Sequence, residues 1–192
     1  MSDKAGRDLA QLRTEQVDAK FALLDVMTVP ELLEVMNESD SEVPKAVAKV
    51  LPTIGAAIED IVERMMQGGR LIYMGAGTSG RLGVLDAAEC GPTFSVTPDE
   101  VIAFIAGGNE ALRTAVEGAE DDPVAGANDL KSITLTPRDV VVGIAASGRT
   151  PSVIPKISLK SGRRATKAPT TNPFTTNAAV TATRALFIFL SY

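Results

Sequence analysis

Arg70-Leu-Ile-Tyr-Met-Gly-Ala-Gly-Thr-Ser-Gly-Arg81 is the stretch on which the fold turns. Arg70 to Met74 reads as a short buried strand, apolar without polar alternation from Leu71 on, the pattern of a strand covered on both faces. Gly68 and Gly69 stop the helix in front of it. The glycine-rich run behind it predicts a tight loop leading into a helix N-terminus, so that strand, loop and helix follow in order.

Working outward, the next helix is expected from about Gly80 to Glu89, closed by Cys90-Gly91-Pro92. A second strand is expected over Val101-Ile-Ala-Phe-Ile-Ala106. Asn109 can cap a helix through Ala119, Asp122 with Pro123 can start another, and Asp139 to Ala145 reads as a third strand. Upstream, Val43, Val47, Val50, Leu51, Ile54, Ile58, Ile61, Val62 and Met65 recur at helical spacing, with Pro44 near the first turn and Pro52 kinking or dividing the helix. Strands alternating with helices imply an α/β fold with a parallel sheet and right-handed crossovers. Ligands of such sheets bind at the carboxyl ends of the strands, where both GAGTSGR and Ala146-Ser-Gly-Arg-Thr150 fall.

Composition narrows the chemistry. The chain has 192 residues, 45% hydrophobic and only 4% aromatic, a single-domain size filled by small aliphatic side chains. It has no histidine, which removes a Ser-His-Asp triad, a His-ligated metal and an imidazole base; proton transfer falls to Glu, Asp, Lys or Tyr. The single cysteine, Cys90, is expected to be a buried, inert thiol. A polar start without an apolar signal core and the absence of a membrane-length apolar run predict a cytoplasmic protein. The net charge of -5 argues against nucleic acid as a partner.

The glycines of Gly75-Ala-Gly-Thr-Ser-Gly80 allow close approach of an anion, and Thr78 and Ser79 add hydroxyl donors; Gly77, Thr78, Ser79 and Gly80 are candidate phosphate-binding residues. The same residues fit the dinucleotide fingerprint, and a tight turn needing small residues is the lesser alternative. A dinucleotide reading requires an acidic residue ending the second strand; Ala106-Gly107-Gly108 offers none. Ser147, Gly148, Arg149 and Thr150 form a second loop on the same sheet edge, with Arg149 either pairing with the anion or facing solvent. Glu89 at the expected end of one helix and Glu120 just past another sit at the negative end of a macrodipole, which suits a proton donor. From position alone the solvated surface carboxylate is the preferred reading of both.

Leu71 to Cys90 closely resembles the signature of N-acetylmuramic acid 6-phosphate etherases, as do Ile105-Ala-Gly-Gly108, Val116-Glu-Gly-Ala-Glu-Asp121 and Val140 to Pro151. The resemblance covers roughly residues 14 to 154. It implies a sugar isomerase (SIS) fold, a doubly wound parallel sheet with a helical lead-in, and a homodimer whose sites are shared between subunits. It implies a lyase removing D-lactate from C3 of the sugar and adding water, without cofactor or metal, on a small-molecule sugar phosphate. Glu89 and Glu120 match the family's catalytic glutamates, Glu89 as acid and Glu120 as base; Ser79, Ser147, Gly148 and Thr150 match its phosphate loops. A non-catalytic sugar-phosphate-binding module or an inactive fragment is the alternative.

Two departures stand out. Cys-Gly-Pro-Thr-Phe-Ser95 replaces a run in which the family tends to carry a second Pro and a Gly, altering a loop. Beyond about Pro155 the resemblance ends: no acidic residue follows Asp139, while seven Lys and Arg do. This basic segment lacks the aromatic interleaving of a single-strand binder and any amphipathic period. A shift of reading frame or a truncated gene explains such an ending. The expected organisation is a helical segment over 1–42, an incomplete SIS-type domain over 43–154 and an irregular basic tail over 155–192.

Overall fold

The structure, a computed structural model, describes residues 18–146 and 150–153, with the backbone of Asn177–Ala178 and Leu186–Leu190. Two compact units divide the chain, Met1–Pro52 and Thr53–Tyr192.

In the first unit, α1 (Val29–Ala48) starts fourteen residues before the helix expected at Val43, so Pro44 lies inside it and not near its first turn. Its true start is a capping box: the Thr28 backbone N–H donates to Glu31 Oε2 at 2.7 Å and the Thr28 hydroxyl to the same oxygen at 2.6 Å. Those bonds hold the Glu31 carboxyl below the usual carboxylate range. Lys49 and Val50 separate α1 from α2 (Leu51–Met66). The division falls just before Pro52, which occupies the first turn of α2, where a missing N–H forfeits no helical bond.

The second unit is an α/β sheet, parallel except for its last pair, Asn177–Ala178 with Leu186–Leu190. Its first three strands are β1 (Leu71–Gly75), β2 (Val101–Ile105) and β3 (Val140–Ile144), each within a residue of its expected bounds. They pair in parallel, Leu71 opposite both Val101 and Val140. Strand alternation sorts the side chains. Ile72, Met74 and Val141 join Leu130 and Val153 on one face, packed by Ile133 and Leu135. Val140 and Val142 join Leu71, Tyr73 and Ile144 on the other, covered by Ala57 and Ile61 of α2. The sheet is therefore wound on both sides, with α2 on one face and α4 (Pro123–Ser132) on the other. Of the expected core face of the 43–66 helix only part packs in: Val43, Val47, Leu51, Ile58 and Val62 stay exposed.

Sheet order is β2-β1-β3-β5-β4, where β4 is Asn177–Ala178 and β5 is Leu186–Leu190. The expectation of an irregular segment after 155 does not extend to Leu186–Leu190, which runs parallel to β3 in register with Val140–Ile144. An apolar, β-prone pentapeptide completes an otherwise open strand edge.

α3 (Gly77–Phe94) passes through Gly91 and Pro92 and ends only at Ser95, whose φ of 58° is left-handed. Pro92 lies in the last turn, where it removes one hydrogen bond without stopping the helix. The helix expected from Asn109 to Ala119 is replaced by a 3₁₀ turn, Gly108–Leu112, and a loop. Gly107 at φ 86° and Gly118 at φ 72° reverse the chain there. Val116 then sits so close over Gly107 that a Cβ would meet its own at 2.9 Å. The start of α4 is as expected: Asp122 accepts from the backbone N–H of Val124 at 2.8 Å and of Ala125 at 3.0 Å. Among the described residues no helix is long and apolar enough to cross a membrane.

Candidate functional site

From β1 the chain goes outward to β2 and then returns to the other side of β1 for β3. Such a reversal opens a crevice at the carboxyl ends of the strands. The loop after β1 and the segment after β3 both lie at that edge.

The glycines of Gly75-Ala-Gly-Thr-Ser-Gly80 divide into two roles. A Cβ on Gly75 would meet the Gly80 Cα at 2.6 Å, and one on Gly80 would meet Ile105 Cγ1 at 2.6 Å and the Gly75 carbonyl oxygen at 2.8 Å. Those two let α3 lie directly on β1. Gly77 differs, with φ at 53° and open space where a side chain would stand. It begins α3 after Ala76, and exposed Thr78 and buried Ser79 complete the first turn. An N-terminal turn with an open backbone and hydroxyls is a ready anion site.

A cleft of about 200 Å³ lies against this turn, lined by Ala76, Gly77, Arg81, Thr114, Glu117 and Glu120 among others. Arg81 was not assigned a role from sequence, although it directly follows GAGTSG. Its Nε donates to the Leu112 carbonyl at 3.2 Å, which fixes the guanidinium at the cleft wall and ties α3 to the loop after β2. Glu120 lies in a 3₁₀ turn, Ala119–Asp121. Its carbonyl accepts from the Ser152 backbone N–H at 3.0 Å, so the segment after β3 holds the turn that carries it.

Glu120 and Gly77 are thus brought together; Glu89 is not with them. Glu89 is exposed on α3, twelve residues beyond Gly77 or about 18 Å along the helix axis. The macrodipole reading changes as well. α3 continues for five residues past Glu89, and no α-helix lies between β2 and Glu120. Thr150 is half-buried, while Ser147, Gly148 and Arg149 lie outside the described residues.

Tyr73 points from β1 toward α3, where burial, followed by a hydrogen bond to Asp86, pushes its hydroxyl far above the ordinary phenol range. It is therefore a neutral donor. Cys90, expected to be buried, is half-buried, and burial with nearby Asp86 pushes its thiol up, away from the reactive thiolate.

A parallel sheet wound on both faces, with a glycine-hydroxyl turn and a carboxylate meeting at its switch point, defines a doubly wound α/β domain. The family described as the glucokinase regulatory protein N-terminal SIS domain matches residues 53–160, and the chain belongs to it.

Three relatives show the same region in longer proteins. A protein of Halalkalibacterium halodurans is 60% identical over 146 residues, 76% of this chain and 49% of its own. One of Mycolicibacterium smegmatis is 56% identical over 147 residues, 77% and 49%. One of Glaesserella parasuis is 54% identical over 148 residues, 77% and 49%. Each is named an N-acetylmuramic acid 6-phosphate etherase. This chain spans about half the length of these relatives.

Proposed function

We propose that this chain carries the sugar-phosphate-binding part of an N-acetylmuramic acid 6-phosphate etherase, a carbon–oxygen lyase of amino-sugar catabolism. The single observation behind this reading is the meeting of Glu120 with the open first turn of α3 in one cleft, in a chain whose matched 146 to 148 residues are more than half identical to proteins of that name. The sugar phosphate would seat its anion on Gly77, Thr78, Ser79 and Gly80, with Ser147, Gly148, Arg149 and Thr150 as further binding residues, and Arg81 adds positive charge at the wall.

In the open-chain sugar the C1 aldehyde acidifies the C2 proton. Glu120 as base takes that proton, the C3–oxygen bond breaks, and Glu89 as acid protonates the departing lactyl oxygen; water then adds to the resulting double bond. Carboxyls suffice for both transfers in a chain without histidine. Since Glu89 lies outside the cleft on an exposed stripe with Leu82 and Leu85, its part in this scheme requires a second copy of the chain, in keeping with a homodimeric, cytoplasmic enzyme. The domain reading of 43–154 as the sugar-phosphate half and 1–42 as its helical lead-in belongs to the same proposal.

The test is D-lactate release from N-acetylmuramic acid 6-phosphate by the purified chain, beside a Glu89→Gln variant. Release by the parent and not by the variant supports the lyase. Equal release by both removes Glu89 from the mechanism, and absence of release from both refutes lyase activity for this chain.

A further inference from the structure

On the α4 face of the same sheet edge lies a second cavity of about 210 Å³. It is too small for a whole sugar phosphate and is sized for one substituent. Met74 and Phe104 form its floor, Ala125 and Gly126 of α4 one wall, and Ala106 to Gly108 its rim. The last three also border, through Ala106, the cleft that contains Glu120.

Among the described residues two polar side chains line this space. Ser152 is 4% exposed, and its Oγ has no hydrogen-bond partner among the described residues. A buried hydroxyl without a partner is uncommon and calls for a ligand or an ordered water. The other is Asp129, half-buried on α4, whose carboxyl makes no hydrogen bond or ion pair among the described residues and which burial pushes above the usual carboxylate range. The backbone here cannot shift to fill the gap. A Cβ on Gly126 would meet the Ser152 carbonyl oxygen at 2.0 Å, so α4 and the segment after β3 already touch.

The chemistry selects the occupant. Among the described residues no cationic side chain lines the cavity, and Asp129 opposes a phosphate or a lactyl carboxylate. A neutral group with one donor, one acceptor and a small apolar end matches all the walls. We infer that this cavity is the acetamido subsite of the bound sugar phosphate: the amide N–H donates to Asp129, Ser152 Oγ donates to the amide carbonyl, and the methyl rests on Met74 and Phe104. The inference rests on the sugar-phosphate reading and adds to it the residues that choose between an N-acetylated and a plain hexose phosphate. It also orients the sugar, with its phosphate toward α3 and its acetamido group toward α4.

The experiment is calorimetric titration of the full chain, and of its Ser152→Ala and Asp129→Asn variants, with N-acetylglucosamine 6-phosphate and with glucose 6-phosphate. The parent should prefer the N-acetylated sugar, and each variant should lose roughly three- to tenfold of that preference, as expected for one hydrogen bond, with glucose 6-phosphate binding unchanged. Unchanged glucose 6-phosphate binding also certifies that the variants fold. An equal affinity of the parent for both sugars, or a loss in the variants that is the same for both, overturns the subsite while leaving sugar-phosphate binding intact. Binding of neither sugar by the parent overturns the sugar-phosphate reading and the subsite with it.

Discussion

Asp139 grips Arg70 at three points: its Oδ1 accepts from the Arg70 backbone N–H and from Nε, each at 3.0 Å, and its Oδ2 accepts from Nη2 at 2.7 Å. The Thr136 backbone N–H adds a fourth bond to Oδ2 at 2.6 Å. The carboxylate is 1% exposed and stands where β1 and β3 begin. It sets the two strands level at the end of the sheet away from the cleft. Asp139→Asn keeps the shape but loses the charge, and about 3 kcal/mol of unfolding free energy should go with it, short of a fully buried pair because Arg70 is partly exposed. Urea unfolding of the two proteins measures the difference, and a loss below about 1 kcal/mol would contradict it.

The same pair gives a pH dependence. Burial alone would raise the Asp139 carboxyl, but the Arg70 guanidinium and the backbone donors outweigh it, and the group lies below its ordinary value. A depressed carboxyl contributes fully above the unfolded value, near about 4, and its contribution disappears as pH falls through the folded value. Melting temperature should therefore drop in acid more steeply for the parent than for Asp139→Asn, and parallel curves would refute this.

Gly77 and Gly80 should answer differently to alanine. Gly80→Ala forces a Cβ into Ile105 and the Gly75 carbonyl and should cost at least about 2 kcal/mol of stability. Gly77→Ala meets no atom but keeps a left-handed φ, costing about 1 kcal/mol, with its larger effect on sugar-phosphate affinity. Thermal melts and calorimetry on both variants separate packing from binding.

Glu120→Gln preserves size and removes the proton acceptor. Lactate release should fall at least about a hundredfold while glucose 6-phosphate still binds. Loss of binding in parallel with activity would instead give Glu120 a structural part.

Asp122 caps α4 two residues after Glu120. Asp122→Ala should lower stability by about 1 kcal/mol, measurable in the same urea series. Urea midpoints that coincide with the parent would show the cap to be dispensable.

Much of the second unit was legible because local signals and tertiary demands agree there. Leu71–Gly75 is apolar throughout since both faces are covered, and Asp122-Pro123 announces a helix start by side-chain chemistry alone. The misreadings fall where a distant contact decides. Gly91-Pro92 looks like a stop, yet α3 continues because its stop is the left-handed Ser95. Asn109 looks like a cap, yet Gly107 and Gly118 fold that stretch into a loop over β2's end. The Glu120 cleft was half visible, since its residue was named but not the Ser152 bond that holds it. Asp129 and Ser152 carry no motif, and only the packing of α4 on the sheet brings them to one cavity.

Gly126 and Ser152, like Gly75 and Gly80, meet backbone to backbone with no side chain between them. A frame joined in that way is inelastic: neither junction can be widened or narrowed in small steps, since the least addition already collides. Change in what the crevice accepts is thereby channelled to its rim, to positions such as Thr114, Ala125 and Asp129, where one side chain can be exchanged for another while the scaffold beneath stays as it is.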